Sequence, residues 1–478
     1  MLARRSLPFV IGALWTAEVT GSFETAMVLA ALKKLIEDFG DPAMVGWLIT
    51  GYLIVGAAVA AIIGRLGDLF GRRQVLVVVL LIGAVGSLVS ALSTNFAVLL
   101  AGRLMQGVTG AILPLCIGLI HETAGKERAP MAIGLMISGA SVGTAAGLVL
   151  GGMIVDQFSW HGVFYASAAL CAVSALAIRL LIPRSPRHPL SEPVDWVSGL
   201  AFAPGVILLL AYFSVGKSWG WTSAPALASL GAGALLVVWW WRASLASPNP
   251  LIAVRSFSDR TIAIGSAVTA LVAMSALQIT VFFSLVMQAP LWTLAGLGFS
   301  ATLAGLAKLP SNVSSVFAGP LGGWLAARGG GRFAMVAGGI LTVAGWLIWF
   351  IVDIDSFPKI VAQLIVISFG TTMLFSVSPT IIAQASPPER ISEISGLVSV
   401  IRGLFMGIGA QMVTSLLAVD VVRRGDEVYP SPFAYDLAVG AIAGVCTLAV
   451  LTALALPKGI ALPPRGVASD KGASHGGT

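Results

Sequence analysis

The sequence predicts an all-α membrane protein of fourteen transmembrane helices, arranged as two six-helix bundles in parallel pseudo-repeat plus an inserted helix pair. Three observations lead there. Only 28 Lys+Arg and 21 Asp+Glu occur in 478 residues, about a tenth of the chain where a soluble domain carries about a quarter. Hydrophobic residues make up 57% of it and fall in long blocks, more apolar surface than a water-facing globule can hide. A short Gly/Arg pattern also recurs far downstream.

A helix crosses ~30 Å of hydrocarbon with roughly 20 apolar residues. Six such segments come first, near 8–31, 45–63, 74–93, 96–121, 129–155 and 162–182. The stretch Pro183 to Asp195 (PRSPRHPLSEPVD) is too polar and proline-rich to stay in lipid. Two further segments, near 196–215 and 225–246, precede the connector SPNPLIAVRSFSDR. Six more follow near 260–287, 297–325, 333–352, 358–384, 394–420 and 434–456. From about Lys458 the Gly/Ser-bearing tail reads as disordered. The chain thus divides into an N-terminal bundle (1–182), linkers with the inserted pair (183–259), a C-terminal bundle (260–457) and a cytoplasmic tail (458–478).

Cytoplasmic loops retain Lys and Arg, so the basic residues test this topology. With both termini inside, the inner loops hold most of them, including Arg4, Arg5, Arg65, Arg72, Arg73, Arg328, Arg332 and Arg390. Outside lie only Lys33, Lys34, Lys217, Lys359, Arg423 and Arg424, while Arg103, Lys308 and Arg402 fall within spans. Glu18 and Glu24 inside the first apolar run favour an uncleaved span over a secretory signal. Trp239 to Trp241 beside Arg242 suit an interfacial anchor. A multi-pass protein of the cell membrane, bacterial inner membrane in the expected setting, is the result.

Other chemistries find little support. The net charge of +7 sits in short loops, with no continuous basic face for nucleic acid. Cys116, Cys171 and Cys446 each lie in an apolar stretch, and His121, His161, His188 and His475 are scattered, so no disulfide framework, metal site or cofactor is expected. Gly216-Lys217-Ser218 has the ending of a phosphate-binding loop, but Ala211 stands where its first glycine belongs. The chain therefore reads as a non-enzyme.

The repeat is specific. Gly64-Arg65-Leu66-Gly67-Asp68-Leu69-Phe70-Gly71-Arg72-Arg73 follows the second span, and Gly323-Trp324-Leu325-Ala326-Ala327-Arg328-Gly329-Gly330-Gly331-Arg332 follows the tenth, with Gly, Leu, Gly and Arg recurring at a shift of 259. Glu127-Arg128 with Gly134-Leu135 matches Glu389-Arg390 with Gly396-Leu397 at a shift of 262. Two echoes at nearly one offset argue for duplication, with spans 1–6 and 9–14 in the same orientation. Parallel repeats are a transporter architecture, with the substrate site near mid-membrane between the halves.

With these motifs in place, the chain resembles the major facilitator superfamily, and its span count resembles that of the drug:proton antiporter branch. The loop after span 2 is similar to the signature G-x-L-x-D-x-x-G-R-R, carried by Gly64, Leu66, Asp68, Gly71, Arg72 and Arg73. Span 4 resembles the arginine motif through Arg103, Gln106, Gly107 and Gly110, and span 5 the antiporter motif through Gly139, Gly143, Gly147, Gly151 and Gly152. Span 1 offers Phe23-Glu24-Thr25-Ala26 where the branch has an aspartate motif. Leu148 stands in place of the motif proline, Glu24 in place of aspartate and Leu69 in place of a basic residue. The resemblance implies proton-coupled export of small lipophilic or amphipathic compounds by alternating access, a cytoplasmic gate at Gly64, Asp68, Gly71, Arg72 and Arg73, and a hinge in the span-5 glycines. Proton-coupled uptake or facilitated diffusion of a metabolite is the alternative on the same fold, with a membrane sensor behind both.

An ionised side chain at mid-bilayer costs at least ~2.5 kcal/mol, so Glu18, Glu24 and Arg103 are functional candidates. Glu24 lies nine residues before Lys33 and Arg103 eight after Asn95. At ~1.5 Å per residue both sit roughly 12–14 Å below the outer surface, so they share a titrating site if the two helices are neighbours. Glu18 is about 120° around the helix from Glu24 and serves as a second proton site, a cation-recognising carboxylate or a water-lined structural residue. Trp15, Phe23, Met27, Tyr52, Gln106, Lys308 and Arg402 are the candidate cavity residues, and Gln278, Gln363 and Gln411 suit helix-to-helix bonding. The glycines of span 5, at every fourth position, also suit plain close packing. The expected partners are a small-molecule substrate, protons and the lipid bilayer, with the protein a monomer.

Overall fold

The computed structural model describes residues 7–40, 42–185, 195–252, 254–425 and 427–457. Arg4 and Arg5, most of the Pro183–Asp195 connector and the tail from Lys458 lie outside them. Within them the chain is helical apart from one hairpin. The first bundle is α1 (Leu7–Phe39), α2 (Pro42–Phe70), α3 (Arg72–Ala91), α4 (Phe96–Gln106), α5 (Ile112–Gln157) and α6 (Trp160–Leu181). α4 continues through a 3₁₀ turn, Gly107–Ala111, into α5, and α5 bends at Gly125, whose φ of 70° separates its two limbs. The predicted fourth and fifth spans are therefore α4 with the first limb, and the second limb. α7 (Trp196–Trp219) and α8 (Ala224–Ala246) form the inserted pair. The second bundle is α9 (Arg260–Met274), α10 (Ile279–Gln288), α11 (Ala301–Gly329), α12 (Gly331–Leu347), α13 (Phe357–Ala385), α14 (Ile391–Leu417) and α15 (Pro432–Leu454).

Eleven helical stretches among the described residues are long and apolar enough to cross a membrane. α1, α7 and α11 are not among the eleven, and composition gives the reason for two of them. α1 carries Glu18 and Glu24, and α11 carries Lys308, two prolines and three serines. For α7, the described stretch is Ala201–Phe213. The hairpin was not foreseen. β1 (Val421–Arg424) pairs antiparallel with β2 (Glu427–Pro430) between α14 and α15, turning through Gly425 at φ 61°, so the all-α expectation holds for the bundles and not for this connection.

The two sequence echoes mark geometrically equivalent places. Gly71 and Gly330, related by the shift of 259, are each the single residue separating two helices, with φ of 101° and 84°. That conformation is cheap only for glycine. Four other glycines pair across the halves. A β-carbon at Gly64 of α2 would collide with the Ser392 carbonyl of α14, and one at Gly323 of α11 with the Pro130 carbonyl of α5. Likewise Gly396 of α14 lies against the Ala60 carbonyl, and Gly134 of α5 against that of Gly319. Shifting the first contact of each pair by 259 on one side and 262 on the other reproduces its partner. The halves therefore meet at two pseudo-symmetric crossings, α2 on α14 and α5 on α11, where backbones touch because no side chain intervenes.

Each half keeps its own core. Leu14, Leu76, Ile112 and Ile133 pack in the first, while Phe282, Phe283, Trp346 and Tyr435 stack edge-on or tilted in the second. The inserted pair belongs to neither. Phe202, Val206, Leu210 and Ala211 of α7 pack on Ile54, Ala58 and Ala61 of α2 and also on Leu397 and Val400 of α14, so α7 covers one crossing and leaves the α5–α11 crossing without such a neighbour.

Gly396→Leu forces side-chain volume into a backbone contact. Overpacking costs about 1–3 kcal/mol, and a lowered melting temperature of the purified protein is expected. Gly444→Leu, at a position where a β-carbon meets nothing within 4 Å, should leave the melting temperature unchanged.

Candidate functional site

Glu24 is fully buried in a cage built by four helical segments of the first half. Its Oε2 accepts from Thr109 Oγ1 at 2.7 Å, and its Oε1 from Ser167 Oγ at 2.8 Å, Cys171 Sγ at 3.3 Å, Ser87 Oγ at 3.3 Å and Gln106 Nε2 at 3.4 Å. Every donor is neutral. Arg103, also fully buried, does not touch this carboxylate. Its Nε donates to the Leu48 carbonyl at 3.0 Å, its Nη1 to Gln106 Oε1 at 2.8 Å and to the Glu24 main-chain oxygen at 3.3 Å, and its guanidinium lies 4.4 Å from the Tyr52 ring centroid. Gln106 thus stands between the charges, accepting from the arginine and donating toward the carboxylate. Tyr52 Oη sits 3.1 Å from Thr109 Oγ1 and donates to the Gly21 carbonyl at 3.3 Å, while Thr25 Oγ1 donates to Tyr52 Oη at 3.4 Å. Thr25 and Gly21 are half-buried, so Thr109 and Tyr52 join the enclosed acid to a more accessible face.

A second charged assembly closes the α2–α14 crossing. Asp68, at the end of α2, accepts from the amides of Ser392 at 3.3 Å and Glu393 at 2.9 Å. These are the first-turn amides of α14, where the helix dipole and unpaired N–H groups favour an anion. Arg72 grips the same carboxylate, with Nε and Nη2 each 2.7 Å from Oδ1. It also donates to Glu122 at 2.7 Å, to Ser392 Oγ at 2.9 Å and to the Pro388 carbonyl at 2.5 Å. Arg65 reaches Glu393 at 3.5 Å, and Arg390 reaches it at 3.2 Å. Arg73 instead ties α3 to the Arg179 carbonyl and the Ser185 hydroxyl. The pseudo-symmetric α5–α11 crossing has Ala327 and Gly331 where Asp68 and Arg72 fall by the shift of 259, so that pair of charges belongs to one crossing only.

A family model for the Major Facilitator Superfamily matches residues 14–195 and 195–410. The chain belongs to the Major Facilitator Superfamily. Among curated relatives of this transporter are the tetracenomycin C resistance and export protein of Streptomyces glaucescens, 26% identical over 85% of this chain and 76% of that one, and the multidrug resistance protein Stp of Mycobacterium tuberculosis (strain CDC 1551 / Oshkosh), 28% identical over 78% and 68%. In fold it resembles the human organic anion transporter MFSD10, with a TM-score of 0.66, 16% identity and coverage of 93% of this chain and 99% of that one.

In this facilitator the motif residues have concrete surroundings. Gly107 and Gly110 lie against Tyr52 and Gly56 of α2. Gly139 faces the Trp15 ring, Gly143 faces Val19 and Ser22, Gly147 faces Phe23 and Ala26, and Gly151 faces Met27 and Ala30. The glycine stripe is thus the seat of α1 on α5, and Gly152 lies off it in open space. Three expectations need correcting. Glu24 and Arg103 lie inside one bundle, not in a crevice between two, and they make no direct ion pair. Phe23 and Met27 pack in the core of the first half with Val28, Leu48 and Phe164, because they point toward α5 and α6 and not toward the second half. Lys308 donates to Thr280 and Ser284 within the second half. Gln278, Gln363 and Gln411 each bond a main-chain oxygen of a neighbouring helix.

Of the remaining charged candidates, Glu18 of α1 is half-buried, and half-buried Arg402 of α14 sets its guanidinium 5.4 Å from the centroid of the Phe375 ring. The cage residues Ser87, Thr109 and Ser167 had no sequence signal, since single hydroxyls in apolar helices ordinarily bond their own backbone.

Removing the Asp68 charge leaves Arg72 with Glu122 as its remaining charged partner in the closed crossing, and loss of a hydrogen bond to a charged group costs about 1.5–3 kcal/mol. That cost falls on the closed arrangement alone. Asp68→Asn is therefore expected to insert and melt normally while a cysteine placed at Ser399 becomes several-fold more reactive to maleimide added from the side of the α2–α3 loop; an unchanged rate would show that Asp68 holds no gate.

Proposed function

We propose that the protein is a proton-coupled exporter of small lipophilic or amphipathic compounds, working by alternating access through fourteen spans with both termini in the cytoplasm of a bacterial cell. Glu24 carries the coupling. A carboxylate shut away from water among neutral donors holds or releases a proton only when a path to one aqueous side opens. When it is protonated, an O–H donor replaces an acceptor facing Thr109, Ser167 and Gln106, and a donor aimed at that oxygen has to turn away or lose its partner, as Thr109 does by turning to the Gln106 carbonyl at 2.8 Å. A buried unpaired donor costs about 1–3 kcal/mol, so the cage rearranges.

Gln106 transmits that rearrangement, because its other end holds Arg103. Through Arg103 the change reaches the Leu48 carbonyl of α2 and the main chain of α1. The opposite end of α2 carries Asp68, so the proton's presence is relayed along one rigid helix to the gate. The Lys/Arg distribution of the loops supports the orientation, with the gate on the cytoplasmic side. The structure then represents the arrangement closed toward the cytoplasm. Export in place of uptake is supported by the relatives named for resistance and export.

The test uses purified protein in liposomes with an imposed pH gradient. With the lumen acid, the wild type is expected to accumulate tetraphenylphosphonium inside liposomes that present its cytoplasmic face outward; solute movement in the opposite sense would establish uptake. Glu24→Gln keeps the cage's size and removes the proton site, so gradient-driven accumulation should fall by at least tenfold while counterflow of preloaded probe persists. Equal gradient dependence in the variant and the wild type removes Glu24 from the coupling.

A further inference from the structure

Leu69 and Arg328 occupy equivalent places in the two halves by the shift of 259, yet only one of them is covered. Arg328, at the end of α11, is exposed, with its guanidinium 4.4 Å from the centroid of the Trp324 ring. Leu69, at the end of α2, is buried. The apolar cluster that covers it includes the connector from α8 to α9. Leu251, Ile252 and Val254 of this connector are exposed by only 0%, 1% and 3%, and they pack in one cluster with Leu69 of α2 and Leu397 of α14. Connecting segments ordinarily run over the surface, so three aliphatic side chains sunk beside the gate call for a reason.

The connector is held there at three points. At its α8 end, Ser244 Oγ donates to the Ile252 carbonyl at 2.7 Å and accepts from the Val254 amide at 3.5 Å. Next to the start of α7, the Asp195 amide donates to the Asn249 carbonyl at 3.2 Å. At the gate, Arg390 Nη2 donates to Asn249 Oδ1 at 3.4 Å while its Nη1 holds Glu393. A seat is also built for it. A β-carbon at Gly199 of α7 would overlap the Leu251 side chain, so the leucine fills space that α7 leaves free by carrying glycine. The connector runs directly into α9 of the second half, whereas Leu69 belongs to the first. Separating α2 from α14 therefore opens this cluster to water. The donors and acceptors around Asp68 find new partners in water; aliphatic surface finds none.

We propose that the α8–α9 connector is a further element of the gate, an apolar clasp in which Leu251, Ile252 and Val254, packed with Leu69 and Leu397, hold the α2–α14 crossing closed. This assignment rests on the reading of that crossing as a gate, and it gives the inserted pair a task. Gly199 of α7 and Ser244 of α8 place the clasp, and Asn249 ties it to the charged network through Arg390.

Purified full-length protein with a cysteine at Ser399 reports on the crossing through its maleimide reactivity from the side of the α2–α3 loop. The wild type, whose three cysteines are buried, gives the background. Leu251→Ala is expected to raise the rate several-fold. Leu69→Arg, which installs the residue of the equivalent position in the second half, should do the same from α2. Gly231→Leu on α8, where a β-carbon meets nothing within 4 Å, should leave the rate unchanged. An unchanged rate in either Leu251→Ala or Leu69→Arg that folds, even with a lowered melting temperature, shows a merely structural connector and overturns the clasp, as does an equal rise in Gly231→Leu. Asp68→Asn in the same reporter keeps the two readings apart. If it leaves labelling unchanged, the charged gate fails, and the rates of Leu251→Ala and Leu69→Arg still decide the clasp.

Discussion

The carboxylate of Asp68 lying on the first amides of α14 is the contact on which the rest of the arrangement depends. It is the place where a charge from one half satisfies main-chain donors of the other. Because α14 begins there, its orphan N–H groups exist whether or not the halves meet, and they need an acceptor from the protein or from water. Asp68 supplies one only while the crossing is closed. Arg72 then neutralises the acid, and Glu122, Ser392 and the Pro388 carbonyl occupy the remaining donors of Arg72. Closure thus satisfies groups that opening exposes to water, and water is an adequate partner for all of them. An interaction of that kind is strong when made and cheap to exchange, as a gate requires.

Pseudo-symmetry makes the asymmetry of the two crossings informative. Duplication supplied four equivalent glycine contacts, yet the Asp68–Arg72 pair has no counterpart at Ala327 and Gly331, and α7 packs on the α2–α14 crossing. The α5–α11 crossing holds by backbone packing, with Gly134 on Gly319 and Gly323 on Pro130. Packed glycine contacts tolerate rocking about the point of touch, whereas the charged crossing has discrete made and unmade states. In the proposed cycle the two crossings divide the work between a pivot and a lock, and α7 packs on the lock through Leu210 and Ala211. An inserted pair touching both α2 and α14 moves with neither half alone, so it screens that seam from lipid.

Much of this was legible in the sequence, and what was not has a common cause. Hydropathy located the helices, and the recurring Gly64 and Gly323 motifs located the duplication, because glycine at a helix crossing leaves a direct mark. The depth arithmetic put Glu24 and Arg103 at one level, and they do belong to one shell. Rotation of a helix about its axis is what sequence leaves open, and the side-chain corrections follow from it. Phe23 and Met27 turned toward α5, Lys308 turned toward α10, and Arg103 turned its guanidinium onto Gln106 and not onto the acid. The hydroxyls of Ser87, Thr109 and Ser167 carried no pattern because each serves the site singly, from a different helix. The hairpin at 421–430 was hidden by its shortness, with two four-residue strands beside a long apolar run.

Helix α1 then acquires a specific mechanical meaning. Glu24 points into the first bundle, toward α3, α4 and α6, while Glu18, six positions earlier and less than two turns away on the same helix, lies about 120° around it. The backbone of this segment is seated on the glycine stripe of α5 at Gly143, Gly147 and Gly151, so it has no side-chain ridges to lock its rotation against that neighbour. In the proposed cycle, a change in the Glu24 cage that turns α1 by even a fraction of a residue's ~100° carries the other side chains of that smooth-backed segment with it.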